Sequence, residues 1–254
     1  MKPSAENTLL LRKHFDREKE WSKPIREEDE DRALKTIAMI PDDALSVLDV
    51  GCGSGLIANR IDGSRLVVGL DLSRIALSRV NRDKVEADSA FLPFKDDYFD
   101  IVIAAELLEH LDDKSLDMAV AEFQRVSRKY VLTSVPFEEN PWETYVKCAE
   151  CGLEYSPYGH RQYFDIERMA GLIAAKREKL DLWGSKKVIP SLSRLGQRLL
   201  GAYPHHDGAI CPRCGSERLQ HNILGDLCYR AISILRRRLA NSKPDTVLCL
   251  YEIK

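Results

Sequence analysis

An α/β fold built on a mostly parallel sheet, with helices on both faces, is what this sequence predicts. Three observations carry the prediction. Five apolar segments, starting at Val47, Val67, Lys84, Phe99 and Lys129, alternate with stretches of helical spacing. The first closes on a glycine-rich turn, Gly51-Cys52-Gly53-Ser54-Gly55. The second delivers an acid, Asp71, sixteen residues beyond Gly55.

Ser46-Val47-Leu48-Asp49-Val50 reads as a strand. The glycines after it supply a tight turn at positive φ and let a ligand touch backbone where no Cβ intervenes. Leu56, Ile57, Ala58 and Ile61 predict a helix next. Val67-Val68-Gly69-Leu70-Asp71 is the second buried strand, and a carboxylate at its end can accept hydrogen bonds from two ribose hydroxyls. This is a nucleotide cradle. A dinucleotide fingerprint has a third glycine where this chain has Leu56. Asp49, two residues before the first glycine, would repel a pyrophosphate but suits a cationic amine and sulfonium. S-Adenosylmethionine is therefore favoured over NAD.

Residues 1–26 are mixed and charged, with Leu9, Leu10, Leu11, Phe15 and Trp21 scattered among them, and are read as a short helix across the cofactor. The acidic run Glu27 to Asp31 precedes Ala33, Leu34, Ile37 and Ala38 at helical spacing, so the acids fall in a first turn, where the helix dipole favours them. Ser73 can cap a helix carrying Ile75, Ala76 and Val80. Lys84 to Ser89 is a third strand; its Asp88 either accepts from an adenine amino group or is a plain turn acid. Leu92-Pro93-Phe94 and Lys95 to Tyr98 form a loop before the strand Phe99 to Ala105, which ends at Glu106-Leu107-Leu108-Glu109-His110-Leu111. Leu116, Ala119, Val120, Phe123 and Val126 mark an amphipathic helix, and Lys129 to Val135 a fifth strand stopped by Pro136.

A chain of 254 residues can bury roughly 70–75% of its unfolded surface, enough for one large core and an appendage. With 38 basic and 40 acidic residues the net charge is −2, which excludes a global polyelectrolyte attraction. The distribution is uneven. Residues 165–243 hold 15 Lys/Arg against 7 Asp/Glu, whereas residues 1–164 hold 22 against 31. The basic part either meets an anionic partner or is a solvated helix face. Met1 to Lys23 lacks the apolar core of a signal peptide, and no window approaches ~18 apolar residues, so a cytoplasmic protein is expected. Seven cysteines argue against a secreted disulfide framework.

Four of those cysteines form two knuckles, Cys148-Ala149-Glu150-Cys151-Gly152 and Cys211-Pro212-Arg213-Cys214-Gly215. A single pair could be a redox dithiol; two pairs of the same form point to a closed, tetrahedral, structural Zn²⁺ site with no position open for water. Such a site contributes on the order of 10–16 kcal/mol to local folding. The half-sites are 59 residues apart, so the fold must unite them. The first follows the fifth strand and the second lies between the sixth and seventh, both at the carboxyl edge of the sheet where ligands bind, so the zinc module is expected to cap the substrate entrance.

Together these residues resemble the class I S-adenosylmethionine-dependent methyltransferases, in particular the small-molecule, type 11 branch, with an inserted zinc-ribbon-like module. The carriers are Val47 to Gly55, Gly69-Leu70-Asp71, Ala87-Asp88-Ser89 with Leu92-Pro93-Phe94, and Phe99-Asp100 leading to Glu106 to Leu111, within about residues 44–136. The resemblance implies a Rossmann-like seven-stranded sheet, mostly parallel with an antiparallel last strand. Thr246 to Ile253 fits that strand, Leu180 to Trp183 the sixth, and Ile166, Met169, Ala170 and Ile173 one face of the helix before it. It implies that Gly51 to Gly55 back the methionine part, Asp71 holds the ribose and Asp88 faces the adenine, with Asp49 supporting the turn indirectly. The candidate cofactor residues are thus Asp49, Gly51, Cys52, Gly53, Gly55, Asp71, Leu72, Asp88, Ser89 and Glu106, and the metal ligands Cys148, Cys151, Cys211 and Cys214.

The expected organisation is an N-terminal helical region (1–43), the cofactor core (44–136), the first part of the zinc cap (137–164), a helix and sixth strand (165–187), the second part of the cap (188–225), and a last helix and seventh strand (226–254). That helix would bury Leu227, Cys228, Ala231, Leu235 and Leu239 and show Arg230 and Arg236 to Arg238. The cap also holds Tyr155, Tyr158, His160, Tyr163 and the polar loop His205-His206.

Methyl transfer from a sulfonium is an in-line displacement in which alignment contributes most. His110 after the fourth strand and His160 before a helix are candidate catalytic bases, useful only where the acceptor is a hydroxyl or a protonated amine; each is otherwise a structural histidine. The expected acceptor is a small molecule or sugar-containing metabolite. RNA is the rival, from the cysteine module and the basic segment, and a non-catalytic cofactor-binding interaction module is the reading from another class.

Overall fold

The computed structural model of the chain describes residues 12, 15–22, 24–188, 203, 204, 206, 208–220, 227 and 241–253. The strands are β1 (Ser46–Val50), β2 (Leu66–Asp71), β3 (Asp83–Glu86), β4 (Phe99–Ala105), β5 (Ser127–Pro136), β6 (Val146–Lys147), β7 (Glu154–Tyr155), β8 (Lys176–Trp183), β9 (Lys186–Val188), β10 (Asn241–Lys243) and β11 (Thr246–Glu252). The helices are α1 (Glu18–Trp21), α2 (Glu27–Ala38), α3 (Arg74–Leu77), α4 (Asp113–Val126) and α5 (Ile166–Gly171). Seven strands join in one sheet in the order β3-β2-β1-β4-β5-β11-β8, and two small antiparallel pairs, β6 with β7 and β9 with β10, lie outside it.

β1 pairs in parallel with β2 and with β4, β2 with β3, and β4 with β5. β11 runs antiparallel to both β5 and β8. The Rossmann-like sheet with an antiparallel last strand is therefore as expected. Strand order runs outward in two directions from β1, which opens a crevice beyond the carboxyl ends of β1 and β4. Both sheet faces are covered. Leu48, Val50, Leu70, Val102 and Ala104 pack with Leu116, Ala119, Val120 and Phe123 of α4 on one side. Val47, Val67, Ile101, Ile103 and Leu132 pack with Ala33 of α2 and with Met39 and Ile40 on the other. The alternation along β1 and β4 is the period-two pattern of a doubly covered sheet.

The helix starts follow local chemistry. α4 begins where the Asp112 carboxylate accepts from Ser115 N, and α3 where Ser73 Oγ accepts from Ala76 N. α2 carries Glu27, Glu28, Asp29 and Glu30 in its first turn, as predicted.

Four expectations need correction. No α-helix follows the glycine turn: only a short 3-10 turn, Ala58–Arg60, forms. In that turn the Asn59 amide donates to Ser54 O and Arg79 O while its Oδ1 accepts from Asn81 N, tying the turn to the segment after α3. Ile57, Ala58 and Ile61 are buried nonetheless. α3 stops at Leu77, so Val80 is buried from outside the helix. In α5, Met169 faces the core with Ile173 beyond it, but Ile166 and Ala170 are exposed. β8 begins at Lys176, four residues before Leu180, because Arg177 and Lys176 pair with Tyr251 and Glu252 on a charged sheet edge that has no apolar alternation to reveal it. The predicted helix around Leu227 to Leu239, with Cys228, lies outside the described residues but for Leu227.

Thr246 pairs with Pro136 at the end of β5 and with Trp183 at the end of β8. The segments that follow β5 and β8 therefore leave the same sheet edge. Among the described residues no helix is long and apolar enough to cross a membrane.

Candidate functional site

A cleft of about 780 Å³, counting its open mouth, lies at that edge, lined among others by Gly51, Asp71, Asp88, Glu106 and His110. The backbone makes its floor. Gly51 and Cys52 N–H both donate to Leu70 O, tying the glycine turn to β2. Asp71 then holds the turn in place: its Oδ2 accepts from Gly53 N at 2.8 Å and its Oδ1 from Ser73 N at 2.8 Å. Burial pushes the Asp71 carboxyl up, against the pull of these two N–H groups. A carboxylate has about four acceptor directions, so two remain for a pair of hydroxyls.

Leu72, Ser89 and Ala87 complete this half of the cleft. Of the other expected cofactor residues, Asp49, Cys52, Gly53 and Gly55 are not among those that line the cleft. The Asp49 carboxylate accepts from Ala58 N at 3.1 Å, and its burial drives the carboxyl up to about 7. Cys52 Sγ lies against Gly69, where a Cβ would stand 2.9 Å away. Gly53 faces the Trp21 ring and Gly55 the Asn59 amide. Residues around α1 close the cleft from the other side through Arg12, Phe15 and Trp21. Only their scatter of large apolar side chains hinted at this in the sequence.

The other half of the cleft is acidic and imidazole-rich. Glu106 sits at φ 52, a strained backbone for a non-glycine residue at a strand end. Its N–H donates to Ser134 O, Ser134 Oγ lies 3.3 Å from its carboxylate, and Arg32 lies 3.6 Å away on the other oxygen. Burial raises the Glu106 carboxyl, with Arg32 and His160 opposing. Burial raises the Glu109 carboxyl further, and repulsion from Glu106 adds to it. His110 and His160, fifty residues apart in sequence, have ring centroids 4.9 Å apart. They are brought together because Arg161 N and Gln162 N donate to Glu109 O, and Gln162 Nε2 donates to Leu111 O. His160 Nδ1 lies 2.8 Å from Glu139 Oε1. Glu109, Glu139, Arg32 and Ser115 were not singled out from the sequence, since nothing in their spacing shows that the fold gathers them.

The four cysteines also converge. Their sulfurs lie within 4.8 Å of one another, with Cys148 to Cys214 and Cys151 to Cys211 at 3.5 Å each. Sulfurs about 2.3 Å from a tetrahedral Zn²⁺ stand roughly 3.8 Å apart, so the set fits that ion. Both knuckles turn alike, Gly152 N donating to Cys148 O and Gly215 N to Cys211 O. β6 and β7 pair around the first knuckle, and Cys148 bridges to Leu219 beyond the second. The module reaches the cleft through rings: His206 lies 4.8 Å from Tyr158, and Tyr158 5.8 Å from His160.

A doubly wound sheet with a glycine turn and an acid at the end of the next strand is the Rossmann-like fold that S-adenosylmethionine-dependent methyltransferases share. The comparisons agree. Residues 48–131 match the family model described as a methyltransferase domain. Over 138 residues the chain is 25% identical to a ubiquinone biosynthesis O-methyltransferase of Bartonella quintana, covering 50% of this chain and 56% of that one. The chain spans about half or less of the length of the curated relatives it matches. Among solved structures, a SAM-dependent methyltransferase from Archaeoglobus fulgidus is similar with a TM-score of 0.54 at 14% identity, covering 96% of this chain and 98% of that one. Magnesium protoporphyrin IX methyltransferase from Synechocystis, solved with bound SAM, gives 0.54 at 13% identity, over 73% and 94% of the two chains. At these identities the likeness establishes the fold.

Proposed function

We propose that this chain is an S-adenosylmethionine-dependent methyltransferase acting on a small molecule. The observation that carries the reading is the Asp71 carboxylate, held by Gly53 and Ser73 N–H at the cleft floor with Asp88 and Ser89 beside it. That arrangement suits a ribose next to an adenine. The methionine part would lie along Gly51, which has φ 71 and no Cβ to block it. The cofactor supplies an activated methyl group when bound; the chain aligns it and excludes water, with Trp21, Phe15 and Leu107 as apolar walls. The small-molecule acceptor is supported by two similar proteins, a ubiquinone biosynthesis O-methyltransferase and a magnesium protoporphyrin IX methyltransferase.

The four-cysteine module is proposed to hold structural Zn²⁺. All four positions are sulfur, so its contribution is folding rather than chemistry. Calorimetry with S-adenosylhomocysteine, followed by transfer of labelled methyl to extract fractions, tests the reading. Binding together with label in a small-metabolite fraction is the expected result. Label confined to RNA overturns the acceptor class, and failure to bind the nucleoside overturns the cofactor.

A further inference from the structure

We propose that Glu109, His110 and His160 form a divalent-cation site in the far wall of the cleft, and that the cation presents a hydroxyl-bearing acceptor to the methyl donor. The second half rests on the methyltransferase reading; the first does not.

One donor atom from each of the three residues lies within 4.8 Å of the other two. Glu109 is the telling member. Its side chain is 2% exposed, yet neither carboxylate oxygen has a hydrogen-bond partner, and His110 Nε2 stands 3.9 Å from Oε1. Leaving such a group unsatisfied is costly, whereas a cation satisfies both its charge and its lone pairs. The next shell agrees. His160 Nδ1 lies 2.8 Å from Glu139 Oε1, and with Nδ1–H donating to that carboxylate Nε2 is left as the lone-pair donor. A carboxylate behind an imidazole is the usual support of a metal-binding histidine.

The geometry is held by backbone rather than by chance contact. Gly159 holds φ 79, a left-handed backbone that a side chain would strain, as the chain passes His110. Arg161 and Gln162 N–H then clamp onto Glu109 O, which fixes His160 against the Leu108–His110 turn. A lone general base would need only one of these imidazoles. Two imidazoles, a buried carboxylate and a supporting carboxylate make a donor set.

Mixed nitrogen and oxygen donors suit Mn²⁺, Fe²⁺, Co²⁺ or Zn²⁺, in contrast to the all-sulfur module. Three protein donors leave positions open on a six-coordinate ion. His110 lines the cleft beside Glu106, with Glu109 and His160 behind it, and we assign the open positions to that side. The ligand class this selects is a vicinal diol or catechol, whose two oxygens can chelate. On transfer the acceptor hydroxyl gives its proton to solvent and its oxygen lone pair forms the O–C bond. The electrons of the breaking S–C bond remain on sulfur, yielding a methyl ether and S-adenosylhomocysteine.

The test uses Mn²⁺ as probe on the full chain with its cysteine module zinc-loaded and no acceptor present, followed by the loss of the free-ion paramagnetic resonance signal. The expected result is one saturable Mn²⁺ per chain, weakened at least tenfold in Glu109→Gln and in His160→Gln. Calorimetric binding of S-adenosylhomocysteine by both variants shows that each is folded. Absence of saturable Mn²⁺ binding, or equal binding in folded variants, overturns the site. Bound Mn²⁺ should also broaden the proton resonances of bound S-adenosylhomocysteine. Sharp resonances would place the ion away from the cleft and overturn its role with the acceptor. A chain that binds Mn²⁺ but not the nucleoside loses the methyltransferase reading while the cation site stands.

Discussion

The indole of Trp21 packs on Gly53 so closely that a Cβ at Gly53 would stand 2.8 Å from the ring. Gly53 also holds φ 53, and the Trp21 Nε1–H donates to Phe15 O. The glycine turn thus serves two surfaces: Asp71 grips its N–H, and the indole needs its missing side chain. Gly53→Ala should displace Trp21 and strain the turn, with a cost of about 1–3 kcal/mol for the backbone alone. The expected outcome is a red-shifted tryptophan emission together with weaker binding of S-adenosylhomocysteine, read by fluorescence and calorimetry on the same sample.

Asp71→Ala removes the acceptor for two backbone N–H groups and, on the proposed reading, for the ribose hydroxyls. Hydrogen bonds to a charged group contribute roughly 1.5–3 kcal/mol each, so affinity for the nucleoside should fall by a hundredfold or more. Unchanged calorimetric affinity would remove Asp71 from the site.

Asp49 makes a pH prediction. Its carboxyl is raised by burial to about 7 in the folded chain, from 3.8 when unperturbed. The folded state therefore binds the proton more tightly, and stability rises as pH falls from above 7 towards 4, the benefit being lost again as pH rises through the folded value. The full swing is roughly 4 kcal/mol by the linkage relation. In Asp49→Asn, which keeps an oxygen for Ala58 N, the urea midpoint should lose this part of its slope between pH 5 and 8. Parallel wild-type and variant curves would show that Asp49 ionises normally.

Chelation of zinc should loosen residues 146–155 and 208–220 first, because β6 and β7 are two-residue strands and their apolar cluster, Val146, Tyr155 and Ala209, is small. Hydrogen exchange should quicken there while β1, β4 and β5 stay protected. Purified chain lacking stoichiometric metal would remove the zinc site.

Phe123 is fully buried among the core residues of α4 and the sheet. Phe123→Ala should cost about 3–5 kcal/mol, visible as a lower denaturant midpoint, with the cleft residues themselves untouched.

Much of this was legible along the chain. The glycine turn, Asp71, the Ser73 cap and the amphipathic α4 announce themselves because their physics is local: positive φ, strand ends and 3.6-residue spacing lie within a few residues of one another. Where a helix was expected after Gly55 there is a 3-10 turn, whose Asn59 side chain bonds to Arg79 and Asn81 some twenty residues on, a contact that periodicity does not weigh. The edge strand from Lys176 to Lys179 was hidden because its residues are charged and its partner lies some seventy residues away.

The sequence by itself determined the glycine-turn half of the cleft, the proposed nucleotide side, and the four thiols, since each needs only short-range spacing and a residue type. The tertiary structure decided the other half. Glu109 joins His160 only when Arg161 and Gln162 clamp onto Glu109 O, and the cysteine sulfurs come within 4.8 Å only in the folded chain. Burial and long-range proximity, which no local pattern encodes, turn an ordinary glutamate and a distant histidine into partners.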